Sequence, residues 1–282
     1  MIINPYRFTS AGTSFLLDDY TGASAAYSFR ALSSAFETAD IITVRRNLDD
    51  ASSSFNAEEI ADGTMLTWVG TLGTSQGYLA TWVDQSGNGE NMIQTTLSAQ
   101  PKIVTNGALV VDGALASVDF DTDEFMSRSG YSGNHADQSV FCVARSDVSG
   151  AYRVIIEHAN TQAATNREVW TGINNATPAE FGGAVHGAPS NLVFGGDATA
   201  QFLGSFIAVD GGSVTSFVDG TQVATDTANT PETATVTTLS LSDTTTNYRW
   251  DGTMQEVILF ASDQTTNRSG IESNVNAHYS IY

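Results

Sequence analysis

The stretch from Phe206 to Thr221 limits the possible folds more than any other part of the chain. Phe206-Ile207-Ala208-Val209 and Val214-Thr215-Ser216-Phe217-Val218 are β-rich segments flanking Asp210-Gly211-Gly212, and Asp219-Gly220 follows at once. Asp and Gly supply the positive φ that tight hairpin turns need, so consecutive antiparallel strands are predicted here. The pattern recurs along the sequence. Candidate strands fall at 41–46, 79–84, 116–120, 139–145, 154–157, 169–172, 191–194, 202–209, 214–218, 236–241 and 253–260, separated by Gly, Asn, Asp, Ser and Thr. Many short strands without a long linker predict a single all-β domain, a sandwich or jelly roll.

A few segments read as helices at the periphery. Ala26, Phe29, Leu32, Ser33 and Phe36 share a helical face and predict a short helix over 23–35. Glu58-Glu59-Ile60 through Trp68 predicts a second, with acids at its favourable end and Gly63 against it. Ile271, Val275 and Tyr279 predict a closing helix within 262–279.

Charge narrows the function. The 31 acidic residues outnumber the 11 basic ones, for a net charge of −20, which disfavours nucleic acid and anionic membrane surfaces as partners. Cys142 is the single cysteine, so no intrachain disulfide is possible, and its apolar setting predicts a buried packing residue. No apolar run approaches membrane-spanning length, and residues 1–15 lack the basic start and apolar core of an export signal. That opening segment is short, apolar and broken by proline. Ile2, Ile3, Pro5, Tyr6 and Phe8 make it a candidate assembly arm, with 16–282 as the folded domain.

Three places carry a resemblance to a known family. They are Ala23–Phe36, the turn Asp84-Gln85-Ser86-Gly87-Asn88-Gly89 after a β-patterned run, and Gly252-Thr253-Met254-Gln255-Glu256-Val257 with the helix that follows. Together they resemble the catalytic domain of fungal α-L-arabinofuranosidase B, glycoside hydrolase family 54, and imply a concanavalin-A-like β-sandwich. The late hairpin is similar to that of laminin-G and concanavalin-A-like domains. Ile3-Asn4-Pro5-Tyr6-Arg7-Phe8 joined to such a domain resembles structural proteins of tailed phages. In the arabinofuranosidase family a nucleophilic glutamate precedes an Asn-Asn-Leu-Phe segment. Pro189-Ser190-Asn191-Leu192-Val193-Phe194 stands here instead, so the resemblance supplies no nucleophile. The family's general-acid aspartate corresponds to Asp243 across a small gap, and its cysteines are absent.

Other candidate sites come from the residues themselves. Asp119, Asp121 and Asp123 alternate along an extended segment, as oxygen ligands for Ca²⁺ would, or as a solvated strand edge would. Trp170 and Trp250 have polar neighbours and, with Asp243, form the candidate glycan site. Core packing is the competing reading for tryptophan. The four histidines show no metal-ligand spacing, and no other cofactor is implied. The expectation is a non-enzymatic virion structural protein, a capsid decoration or head-fibre protein. It would lie on the virion surface, joined to other virion proteins or to copies of itself, and touch cell-surface glycans. The alternatives are a carbohydrate-binding tail-fibre adhesin and a divergent glycoside hydrolase.

Overall fold

The structure, a computed structural model, describes residues 14–131, 137–159, 167–185, 191–227, 238–242 and 248–282. The assembly-arm residues Ile2, Ile3, Pro5, Tyr6 and Phe8 lie outside these, as does Asp243. The strands, in chain order, are β1 Ala25–Ser28, β2 Ile42–Arg46, β3 Ser52–Phe55, β4 Gly77–Trp82, β5 Met92–Ile93, β6 Lys102–Thr105, β7 Ala108–Leu109, β8 Val111–Asp112, β9 Leu115–Ala116, β10 Val118–Phe120 and β11 Met126–Ser129. They continue with β12 Gln138–Ser146, β13 Arg153–Ala159, β14 Arg167–Ile173, β15 Glu180–Val185, β16 Asn191–Asp197, β17 Phe202–Ala208, β18 Ser213–Val218, β19 Thr221–Thr227, β20 Thr238–Leu241 and β21 Gly252–Phe260. The helices are α1 Leu16–Asp19, α2 Ala57–Ala61, α3 Thr64–Val69 and α4 Arg268–Tyr279.

Antiparallel pairing arranges these strands in two layers. In the first the order is β19–β18–β17–β12–β21–β1, with β10 beside the early half of β21. In the second it is β3–β2–β4–β5–β11–β20–β13–β14–β15–β16. Strand β6 pairs with both β4 and β10 and so joins the layers at one edge. This is the β-sandwich that the succession of short strands and turns predicts. The predicted hairpins are also present: Gly211 turns β17 into β18, and Asp219 and Gly220 turn β18 into β19, all three at positive φ.

One core fills the space between the layers. Val140 and Cys142 of β12, Val257 and Leu259 of β21 and Phe206 of β17 pack with Val44, Leu79, Trp82, Ile156, Val169 and Leu241 from the second layer. Cys142 is a packing residue there, and burial pushes its thiol pKa up. The far side of the first layer is covered too. Ala26, Phe141, Val143, Leu203, Ile258 and Phe260 lie under Leu16, Leu17, Leu32 and the Ile271, Val275 and Tyr279 face of α4.

The early helix prediction is corrected. Residues 25–28 form β1, paired from Ala25↔Leu259 to Ser28↔Glu256, and Ser34–Phe36 is only a 3₁₀ turn. A strand buried on both faces has a continuous apolar run that period alone does not separate from a helix. Over 57–69 the chain forms two helices rather than one, because Gly63 takes a left-handed φ of 86° between them. Asn56 and Glu59 cap the first by exchanging side-chain and backbone hydrogen bonds. The Asp84–Gly89 turn is a clasp. Asp84 accepts from the N–H groups of Ala26 at 2.8 Å, Ser86 at 2.9 Å and Glu90 at 3.0 Å, while Gln85 Oε1 accepts from Leu32 N–H at 2.8 Å.

Candidate functional site

Buried carboxylates are costly and need identified partners. Glu256 is bound by Arg30, Glu124 by Lys102 at 3.1 Å and Glu272 by Arg268. Glu157 is buried as well. It is 3% exposed, Ser240 Oγ donates to its Oε1 at 3.0 Å, and it faces away from the main core.

A bulge creates that orientation. Pairing of β13 with β14 shifts between Val154 and Ile156, so Val154 and Glu157 share a face despite their odd spacing. Ile155 and Ile156 both enter the main core, whereas Val154 joins Trp170 and Ala184 in a separate cluster on the outer side of the second layer. The register then sets Ser240, Glu157, Trp170, Ala184 and Leu192 in one line across β20, β13, β14, β15 and β16.

Aromatic rings crowd this line. Trp170 meets Tyr152 at 6.0 Å between centroids, nearly edge-on, and Phe194 at 5.5 Å. Tyr152, Phe194 and Tyr248 are only partly buried. Gly172 and Gly182 lie beside Trp170, and no side chain fits at either. A Cβ would stand 1.9 Å from the Arg153 carbonyl oxygen at the first and 1.8 Å from that of Val193 at the second. The result is a carboxylate and a hydroxyl bordered by aromatic edges. Chemically, Tyr152, Phe194 and Tyr248 offer partly exposed aromatic surface of the kind that packs against a sugar ring, while Glu157 and Ser240 beside it are themselves buried.

The tryptophan assignments need correction. Trp250 is 0% exposed in the main core, and its Nε1–H donates to Thr253 O at 3.3 Å. Trp170 is 6% exposed and is a wall behind Tyr152 and Phe194 rather than a free stacking surface. For Trp170 the polar sequence neighbours misled because, in a strand, they point to the opposite face from the ring, whereas Trp250 lies just before β21 and its neighbours' polarity carries no information about the ring. Glu157, Tyr152, Phe194 and Tyr248 went unrecognised in the sequence. An aromatic at Trp170 facing a carboxylate at Glu157 becomes visible only once the hairpin register is known.

The proposed cation ligands do not converge either. Among the described residues no group of three or more His, Cys, Asp or Glu side chains is placed to hold a metal ion. Asp121 and Asp123 are exposed at a turn, while Asp119 is half-buried beside Lys102 on β6. Burial raises the Asp119 pKa; Lys102 opposes this, and Asp147, Asp121 and Asp251 push it further up. Burial is the larger cause and repulsion from the neighbouring carboxylates adds to it, with Asp121 and Asp123 in solvent as the solvated-edge alternative has them. The described histidines are apart as well: His158 stacks on Tyr131 at 5.4 Å, and His278 lies against Tyr279 on α4. Among the described residues no helix is long and apolar enough to cross a membrane.

No family model matches the chain, and no curated protein does. Solved structures do. A GH54 α-L-arabinofuranosidase bearing a cyclic sulfate inhibitor superposes with a TM-score of 0.65 at 14% identity, covering 93% of this chain and 64% of that one. A glutamate-to-glutamine mutant of a GH54 α-L-arabinofuranosidase, soaked with 4-nitrophenyl α-L-arabinofuranoside, gives 0.64 at 13% identity and the same coverage. An arabinofuranosidase complexed with arabinofuranosyl-α-1,2-xylobiose gives 0.61 at 15% identity, again covering 93% and 64%. The chain thus spans about 64% of the length of these enzymes and shares their β-sandwich fold. The expectation of a non-enzymatic virion structural protein is overturned. The structures that share its fold across nearly the whole chain are glycoside hydrolases, and nothing in these matches points to a phage particle.

Proposed function

We propose that this chain is a divergent glycoside hydrolase domain whose sugar site is the outer face of the second layer around Glu157. The observation that carries the reading is the placement of a buried carboxylate beside a hydroxyl and an aromatic cluster, on the face turned away from the core. The fold likeness to arabinofuranosidases supports a furanoside or related neutral sugar as substrate.

Glycoside hydrolysis uses two carboxyl groups, about 5–5.5 Å apart for retention or about 6.5–9.5 Å for inversion. In this reading Glu157 is one. Asp243, which follows β20 and its Ser240 in the sequence, is the other, as the family resemblance implies. Tyr152, Phe194 and Tyr248 would cover the apolar side of the ring, and Ser240 would hold the Glu157 carboxylate in place. The test is turnover of an aryl glycoside panel that includes 4-nitrophenyl α-L-arabinofuranoside. Release of aryl alcohol that falls by at least about a hundredfold in Glu157→Gln and in Asp243→Asn, with folding intact, supports the assignment. Turnover that Glu157→Gln leaves unchanged sinks it.

A second reading is sugar binding without turnover. It is favoured by Pro189 and Ser190 standing where the family resemblance implies the nucleophile. Saturable glycan binding with no hydrolysis on any substrate would select it.

A further inference from the structure

We propose that the glycan held at this site is a neutral polymer lying across the strands of the second layer, on a hydroxyl-lined track that leads away from Glu157; this rests on the sugar-site reading above. The register continues the Glu157 line in the direction opposite to Trp170. Ser240 of β20 pairs with Ser127 of β11, which faces Ile93 of β5, then Thr81 of β4, Thr43 of β2 and Ser54 of β3. Antiparallel partners point to the same side of a sheet, so this is one continuous outward-facing line. Thr43 Oγ1 lies 3.0 Å from Ser54 Oγ, as that requires.

The line is open to a ligand. Ile93 and Ser54 are exposed, and Thr43, Thr81 and Ser127 are half-buried. Four of its five open positions, Ser127, Thr81, Thr43 and Ser54, carry hydroxyls, which both donate and accept, as sugar hydroxyls do. Ile93 offers an apolar spot for the C–H face of a ring. Strands about 4.8 Å apart make the open stretch from Ser127 to Ser54 about 19 Å long, with a repeat comparable to one sugar unit of an extended chain.

The open stretch begins at Ser127: Ser240 and Glu157 are 0% and 3% exposed, and Trp170 and Ala184 beyond them are buried too, so a polymer in this stretch runs toward β3. The charge selects among polymers: at −20 overall, with 31 acidic against 11 basic residues, an anionic polysaccharide is repelled and a neutral one is not.

The experiment measures calorimetric binding of neutral xylo-oligosaccharide and α-1,5-arabino-oligosaccharide ladders to Glu157→Gln, with polygalacturonate as the anionic comparison. Affinity for at least one neutral ladder should rise by about tenfold or more from dimer to the longest member, and then level off. Thr43→Arg and Ser127→Trp, each verified as folded, should bring the ratio of long to short affinity back to about one. Equal affinity at all lengths, a ratio that neither substitution changes, or tighter binding of polygalacturonate overturns the track. The two readings separate cleanly. Length-dependent binding without any turnover by the unmodified chain removes the hydrolase and keeps the track, whereas cleavage of aryl glycosides without length dependence does the reverse. No glycan binding at all removes both.

Discussion

Arg30 grips Glu256 through two parallel hydrogen bonds, Nε to Oε2 at 2.8 Å and Nη2 to Oε1 at 2.9 Å, beneath helix α4. The Glu256 side chain is 1% exposed, and Ser28 and Tyr279 also donate to it. The pair ties the loop after β1 to β21 and to the C-terminal helix, where Asn274 Oδ1 accepts from Arg30 Nη1 at 2.9 Å. Buried pairs of this kind fix an arrangement more than they add stability, but breaking one leaves a lone buried charge.

Arg30→Ala should therefore destabilise the fold by about 3–5 kcal/mol, read from urea denaturation. Glu256→Gln should cost less at low pH than at neutral pH. Burial alone would raise the Glu256 pKa, but the Arg30 charge and hydrogen bonds outweigh it and hold the carboxyl below its ordinary value. A depressed folded pKa gives stability that is full above the unfolded value of about 4.3 and is lost as pH falls through the folded value. The gap between parent and Glu256→Gln should close across that acidic window. A gap that stays constant down to the acid limit would contradict the linkage.

Asp84 should prove structural. Its carboxylate accepts from the buried N–H of Ala26 at 2.8 Å and from Glu90 N–H at 3.0 Å, so Asp84→Ala leaves donors unpaired. A loss of at least about 2 kcal/mol is expected, with Asp84→Asn milder because it keeps one acceptor. The denaturant midpoint should move with an unchanged slope.

Trp250 and Phe194 should separate packing from recognition. Trp250→Ala empties a fully buried position and should cost about 3–5 kcal/mol. Phe194→Ala truncates a partly buried ring, and should lower sugar affinity with a smaller loss of stability. Unaltered sugar affinity in Phe194→Ala would detach the aromatic rim from the proposed site.

Asp119→Asn should stabilise the protein at neutral pH. The Asp119 pKa is raised by burial, against the pull of Lys102, and by Asp147, Asp121 and Asp251, so its charged form is disfavoured on folding. For a carboxylate shifted this way, stability declines as pH rises through the acidic range. The gain, about 0.5 kcal/mol given partial exposure, should shrink in high salt and vanish once the carboxylates are protonated. Added Ca²⁺ should leave the thermal midpoint unchanged, and a rise at millimolar Ca²⁺ would restore the cation reading.

The sequence by itself determined where strands begin and end when both signals were local. Short β-rich segments such as Ile42–Arg46 and Phe202–Ala208, and the positive-φ turns at Gly211 and Asp219-Gly220, carry their own instructions over a few residues. Tertiary structure decided which face each strand turns inward. The residues at 25–28 are a strand because β21, more than two hundred positions later, pairs with them. Trp250 is core and Glu157 is not, although each lies in a stretch of mixed polarity. One extra residue at Ile155 reverses the alternation of β13, carrying Glu157 to the outer face beside Trp170 and Ser240. A period of two fixes side-chain direction only up to such a bulge, and the bulge is set by pairing across the sheet. The candidate site depended on that pairing, because its members come from strands whose order the chain does not state.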